Sequence, residues 1–141
     1  MKAGYLTLET HPNHNHLVRV CMRQAEPDIK HGDDGSVIRY IARFRDVEAA
    51  QMHVQNMMHR FLVNLEQRIY RKPLVEMIAC VEADELEHKR TWMDPAIGDS
   101  ELAQIQALTE RNRKRHRWMD LIWQAVGIVA LILLLVTSLT I

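Results

Sequence analysis

Four stretches of the chain alternate apolar and polar residues with a period of two. In residues 5–10, Leu6 and Leu8 alternate with Tyr5, Thr7 and Glu9. In 17–23, Val18, Val20 and Met22 alternate with Arg19, Cys21 and Arg23; in 37–44, Ile38, Tyr40, Ala42 and Phe44 alternate with Arg39, Ile41 and Arg43. In 74–82, Val75, Met77, Ala79 and Val81 alternate with Glu76, Ile78, Cys80 and Glu82. Such alternation predicts half-buried strands with one apolar face and one face of mixed charge. Between the third and fourth stretches the period changes. Val47, Ala50, Val54, Met57, Phe61, Leu65 and Ile69 recur every three or four residues, which predicts one amphipathic helix over 46–71. Asp46 is placed to cap its first turn and Pro73 to end it. A short polar helix is expected over 84–92, and a last helix runs from about residue 101 without Pro or Gly until Gly127.

The expected order is strand, strand, strand, helix, strand, then a stalk helix. It predicts an α+β domain in which one long helix covers a small, mainly antiparallel four-stranded sheet. In element order this resembles a ferredoxin-like domain or one half of a dimeric α+β barrel. The chain divides into an α+β domain (1–93), a linker and basic stalk helix (94–117) and an apolar helix (118–141).

The apolar helix changes the picture most. Residues 121–141 contain no charge, and only Gln124, Thr137, Ser138 and Thr140 are polar. About 20 apolar residues cross a bilayer core as a helix. A domain this small is a poor wrapper for a helix apolar on all faces, so a single membrane span is expected. Just before it lies RNRKRHR, containing Arg111, Arg113, Lys114, Arg115 and Arg117, followed by Trp118 and Trp123. Basic flanks stay on the cytoplasmic side and indole rings favour the interface. The expectation is a tail anchor in an inner cell or organellar membrane. Its N-terminal domain would be cytoplasmic or on the matrix side, with the basic run against lipid headgroups. Net charge is zero, with 18 Lys and Arg against 18 Asp and Glu, and no aromatics are interleaved upstream of the basic run. A nucleic-acid partner is therefore not expected.

The candidate chemistry is sparse. His11, His14 and His16 fall within HPNHNH, between two predicted strands. This is a polar hairpin tip, or a partial metal set for which Glu9 and His31 are further donors; a closed zinc site needs four. His53 and His59 flank Met52, Met57 and Met58, where Met reads as core filler. Glu85-x-x-His88 is half of a di-iron motif whose second copy is missing. Cys21 and Cys80 read as reduced thiols. No cofactor is expected.

The outer sheet face would show Arg19, Arg23, Arg39 and Arg43 around Leu17, Ile41 and Ile78. Charge around an apolar centre is how a protein contact looks, for a larger partner or a homodimer. Gly127 and Ala130 allow close helix approach within the membrane. The sequence thus reads as a non-catalytic, tail-anchored accessory or assembly subunit of a larger inner-membrane complex, such as a respiratory or photosynthetic one. The alternative is a membrane-tethered cofactor- or metal-binding domain, enzyme or sensor, working through its histidines.

Overall fold

The computed structural model describes residues 2–29 and 35–139 of the 141-residue chain. The first three alternating stretches form β1 (Gly4–His11), β2 (His14–Arg23) and β3 (Val37–Phe44). Their alternation works as expected on one face. Leu6, Leu8, Val18, Val20, Tyr40, Ala42 and Phe44 are all buried in the core. β1 is central and pairs antiparallel with both β2 and β3. Gly4 opens it at a point of close approach. A Cβ there would lie 2.8 Å from the Arg23 carbonyl oxygen and 2.8 Å from Val47 Cγ1.

The helix predicted over 46–71 is much shorter. α1 covers Val47–Met58, with the Asp46 carboxylate accepting from the Ala49 amide at 3.2 Å. A single 3₁₀ turn, His59–Phe61, ends it. The chain then folds into a small hairpin of β4 (Leu62–Asn64) and β5 (Ile69–Arg71). Its turn has no glycine. Asn64 Oδ1 accepts from the Gln67 amide at 3.0 Å, and Arg68 takes a positive φ of 53°. The side chain of Asn64 thus supplies the turn that Leu65, Glu66 and Gln67, all good helix formers, obscure.

The fourth expected strand, 74–82, is a helix. α2 (Leu74–Glu82) starts at Pro73, which caps it instead of ending the element before it. Met77, Ile78, Ala79, Cys80 and Val81 are all buried. A near-continuous apolar run fits a buried strand and a buried helix equally well; here proline at the helix start was the sign. The polar helix expected over 84–92 is instead strand β6 (His88–Met93), paired with β3.

The protein is therefore α+β, with one fully antiparallel six-stranded sheet in the order β4-β5-β2-β1-β3-β6, not four strands. α1 and α2 pack on its apolar face. Tyr40 ties the layers together by donating its hydroxyl to Glu82 Oε1 at 3.0 Å.

α3 (Asp99–Leu139) is one helix of 41 residues. Its first half is packed on the domain. Leu102, Ile105, Leu108, Thr109, Asn112 and His116 are the buried or half-buried positions of that half and form one stripe along it. Ile97, just before the helix, and Ile105 both belong to the core.

Candidate functional site

From Arg117 to Ser138 every residue of α3 is exposed. This stretch includes Trp118, Leu121, Ile122, Trp123, Val126, Ile128, Val129 and the run Leu131–Val136. The apolar window has a mean hydropathy of 2.4 and no residue buried. The helix is long and apolar enough to cross a membrane, and among the described residues no part of the domain covers it. Each large apolar side chain removed from water stabilises by roughly 1.5–3 kcal/mol. Thr137 and Ser138 donate their hydroxyls to carbonyls of their own helix, at 2.9–3.0 Å. Thr140 and Ile141 lie outside the described residues. Gly127 and Ala130 sit on the exposed apolar stretch.

The basic run lies one turn above it. Arg111, Lys114, Arg115 and Arg117 are exposed. Arg113 is engaged differently: its Nη2 donates to the carbonyl of Glu82, the last residue of α2, at 2.9 Å.

The histidine hairpin lines a cavity of about 260 Å³ with Glu9, Leu17, Arg19, Ser36, Gln67 and Ile69. His11 and His14 face each other across the register, ring centroids 5.8 Å apart. His16 does not line the cavity; its ring lies 6.2 Å from that of His14. At the cavity wall is Glu9, fully buried. It accepts from Ser36 Oγ at 2.7 Å, Arg23 Nη2 at 3.1 Å and Thr7 Oγ1 at 3.2 Å. Burial, and then the negative Glu9 nearby, push the Cys21 thiol up to about 11. Among the described residues no three His, Cys, Asp or Glu side chains come together as a metal site. His31 lies outside the described residues.

The expected apolar patch on the outer sheet face is not assembled. Ile41 is 1% exposed, and Ile78 belongs to α2 inside the core, as does Cys80. Arg39 is tied to Asp94 at 2.6 Å and Arg23 to Glu9. Of the named residues Arg43 is exposed and Leu17 half-buried. Both thiols are free. Three of the exposed large apolar side chains of the domain, Phe61, Val63 and Leu65, lie on and beside β4, the edge strand; Ile29, Val37 and Met52 are exposed at other places.

A second cavity, of about 180 Å³, has no counterpart in the sequence reading. His53, Asn56 and Met57 of α1, Asp84 and Glu85 after α2, and His116 of α3 line it. Asp84 Oδ1 accepts from the Leu86 amide at 2.9 Å and lies 3.2 Å from His53 Nδ1. Three segments far apart in sequence meet here, and no local spacing announces them. Glu85-x-x-His88 does not act as a pair: His88 is directed to the Leu86 carbonyl at 2.7 Å and stacks on Phe44.

No family model, curated protein or solved structure matches the chain.

Proposed function

We propose that this protein is a non-catalytic, membrane-anchored accessory or assembly subunit of a larger inner-membrane complex. α3 would be the anchor, with the basic run and the α+β domain on the cytoplasmic or matrix side. The observation that carries this reading is the continuity of α3. One helix is packed into the domain through Ile105 and Thr109 and then presents an exposed apolar surface. A flexible tether would merely concentrate the domain near a bilayer. A continuous helix holds it at a fixed attitude, which is what docking against a large neighbour requires.

Two further features support docking. Phe61, Val63 and Leu65 are 39%, 50% and 62% exposed along a sheet edge with no charged residue on β4. Exposed apolar side chains beside an uncharged edge favour burial against another chain. The buried carboxylate of Glu9 is saturated by three donors, which suits a structural role better than proton transfer. The partners would be membrane lipids and subunits of the larger complex. Native mass spectrometry after mild detergent extraction tests this: the chain should appear bound to larger membrane subunits. Recovery only as a free monomer would overturn it, and recovery as a homodimer alone would favour self-association instead.

The second reading is a membrane-tethered cofactor- or metal-binding domain, enzyme or sensor. Its support is the cavity that brings His11 and His14 beside Glu9.

A further inference from the structure

We propose that Lys114, Arg115 and Arg117 bind the phosphate groups of anionic phospholipids on the sides of α3 that the domain leaves uncovered, and that Arg113, from the same basic run, takes no part in this. The proposal rests on the membrane-anchored reading above and adds to it the lipid class and the residues that select it.

A helix turns about 100° per residue. The domain side of α3 is centred on Ile105, Thr109 and His116, which are buried or half-buried. Arg113 lies about 60° from that centre, and its guanidinium is given to the Glu82 carbonyl at 2.9 Å. Arg115 and Arg117 lie about 100° to either side of the centre, and Lys114 about 160° round, opposite the domain. All three are exposed, and among the described residues none of them is in an ion pair. The stretch 111–119 holds no acid. Asp120, the next acid toward the span, lies on the domain side, about 40° from its centre. Three cations are thus spread round the open arc of the helix, while the fourth is used by the fold.

Height decides what meets them. Arg117, Arg115 and Lys114 are four, six and seven residues before Leu121, where the uncharged stretch starts. At the rise of a helix these are about 6, 9 and 10.5 Å. The headgroup region extends roughly 5–7 Å from the hydrocarbon core, and long basic side chains bend toward it. Trp118 marks the same level. It lies one turn below Lys114 on the same side and is 70% exposed, and indoles favour the interface. Headgroups are therefore within reach of the three cations on every open side. Choline and ethanolamine lipids carry their own ammonium beside the phosphate. An anionic lipid carries none, so the protein's cations gain most from it. Arg111, about 15 Å above the span, stands clear of the headgroups.

The full chain can be reconstituted into nanodiscs holding equal amounts of phosphatidylcholine and phosphatidylglycerol. These discs are symmetric, so loss of cations does not change the side on which the domain stands. Native mass spectrometry then reads the lipids retained on release. Phosphatidylglycerol should be retained at least about fivefold over phosphatidylcholine, the factor that one basic residue near a membrane surface supplies. Lys114→Gln, Arg115→Gln and Arg117→Gln should each reduce this enrichment severalfold, and together abolish it, with no change in Tm because all three side chains are exposed. Arg113→Gln should keep the enrichment and lower the Tm. Equal retention of the two lipids would overturn the proposal and leave the cations to an acidic protein surface. Enrichment that survives the triple variant, or that falls as much with Arg113→Gln as with Lys114→Gln, would overturn it as well, the last by showing that charge count alone decides. Failure to enter any nanodisc would overturn the membrane reading and this proposal with it.

Discussion

Arg113 Nη2 donates to the backbone carbonyl of Glu82 at 2.9 Å, joining the basic turn of α3 to the C-terminal end of α2. The last carbonyls of a helix lack internal partners and carry partial negative charge, so a guanidinium suits them. This contact and the burial of Ile105 fix the direction in which α3 leaves the domain. Arg113→Ala should cost about 1 kcal/mol. Ile105→Ala, which empties a core position, should cost about 2–4 kcal/mol. Denaturant unfolding of the detergent-solubilised chain reads both. A larger loss at Arg113 than at Ile105 would contradict the packing described.

Glu9 and Arg23 make the buried pair of the sheet's second face. The Arg23 side chain is 28% exposed and that of Glu9 fully buried. Removing one partner of a buried pair costs about 3–5 kcal/mol, and partial exposure of the arginine favours the lower end. Glu9→Gln should therefore destabilise by roughly 3 kcal/mol. Arg23→Met in the same background should add less than it does alone. A double-mutant cycle with no coupling would show that Ser36 and Thr7 suffice to hold the carboxylate.

Alkaline stability should fall in a defined window. Burial pushes the Cys80 thiol up to about 12, with nearby Asp84 adding to the effect, and Cys21 up to about 11. Burial also raises the Tyr40 phenol, helped by its bond to the negative Glu82. In each case the folded state favours the protonated form. This contribution is complete below the unfolded values, near 9 for the thiols and 10 for the phenol, and is lost as pH rises through the folded values. Urea midpoints should hold steady up to pH 8.5 or so and decline above it. Thiol reagents at pH 8 should label Cys80 only at the rate of unfolding. Prompt labelling of the native protein would contradict its burial.

Much of the sheet was legible in the residues because the core-facing side chains of β1, β2 and β3 alternate plainly with mostly polar ones. α2 was not, since burial on nearly all sides erases the helical stripe that separates a helix from a strand. The β4–β5 hairpin was hidden for a different reason. Its turn is made by Asn64 and a positive φ at Arg68, without the glycine that marks such turns. The apolar helix was readable as far as Leu139, because its apolar surface is set by composition alone. The Asp84 cavity was unreadable, because its walls come together only through the packing of α1, α2 and α3.

The histidine hairpin should behave as a polar turn toward zinc. The cavity offers two imidazoles, and its carboxylate already accepts from three donors. The His11 Nδ1 accepts from the Asn13 amide at 3.2 Å, leaving Nε2 as its outward nitrogen. A closed zinc site needs four ligands. Isothermal titration of the full chain with zinc should show no tight saturable site, and His11→Ala with His14→Ala should leave Tm unchanged. A stoichiometric site lost in that double variant would favour the metal-binding reading.

The continuity of α3 yields the most direct separation of anchoring from docking. Insertion in the bilayer depends on the apolar stretch after Arg117, whereas attitude depends on the unbroken helix that links it to Ile105. A four-residue Gly-Ser insertion after Arg117 removes the second and keeps the first. Such a segment behaves as a flexible coil, so the domain would sample many orientations over the surface. The variant should stay in the membrane fraction after carbonate extraction and unfold at the parent midpoint. Co-purification with larger membrane subunits should fall about tenfold or more, because the two contacts no longer reinforce each other. An Ala-based helical insertion of seven residues, close to two turns, should retain most of the binding, since it preserves rigidity and nearly preserves the facing direction. If the flexible and helical insertions bind partners equally well, the domain docks on its own and α3 serves only as a tether.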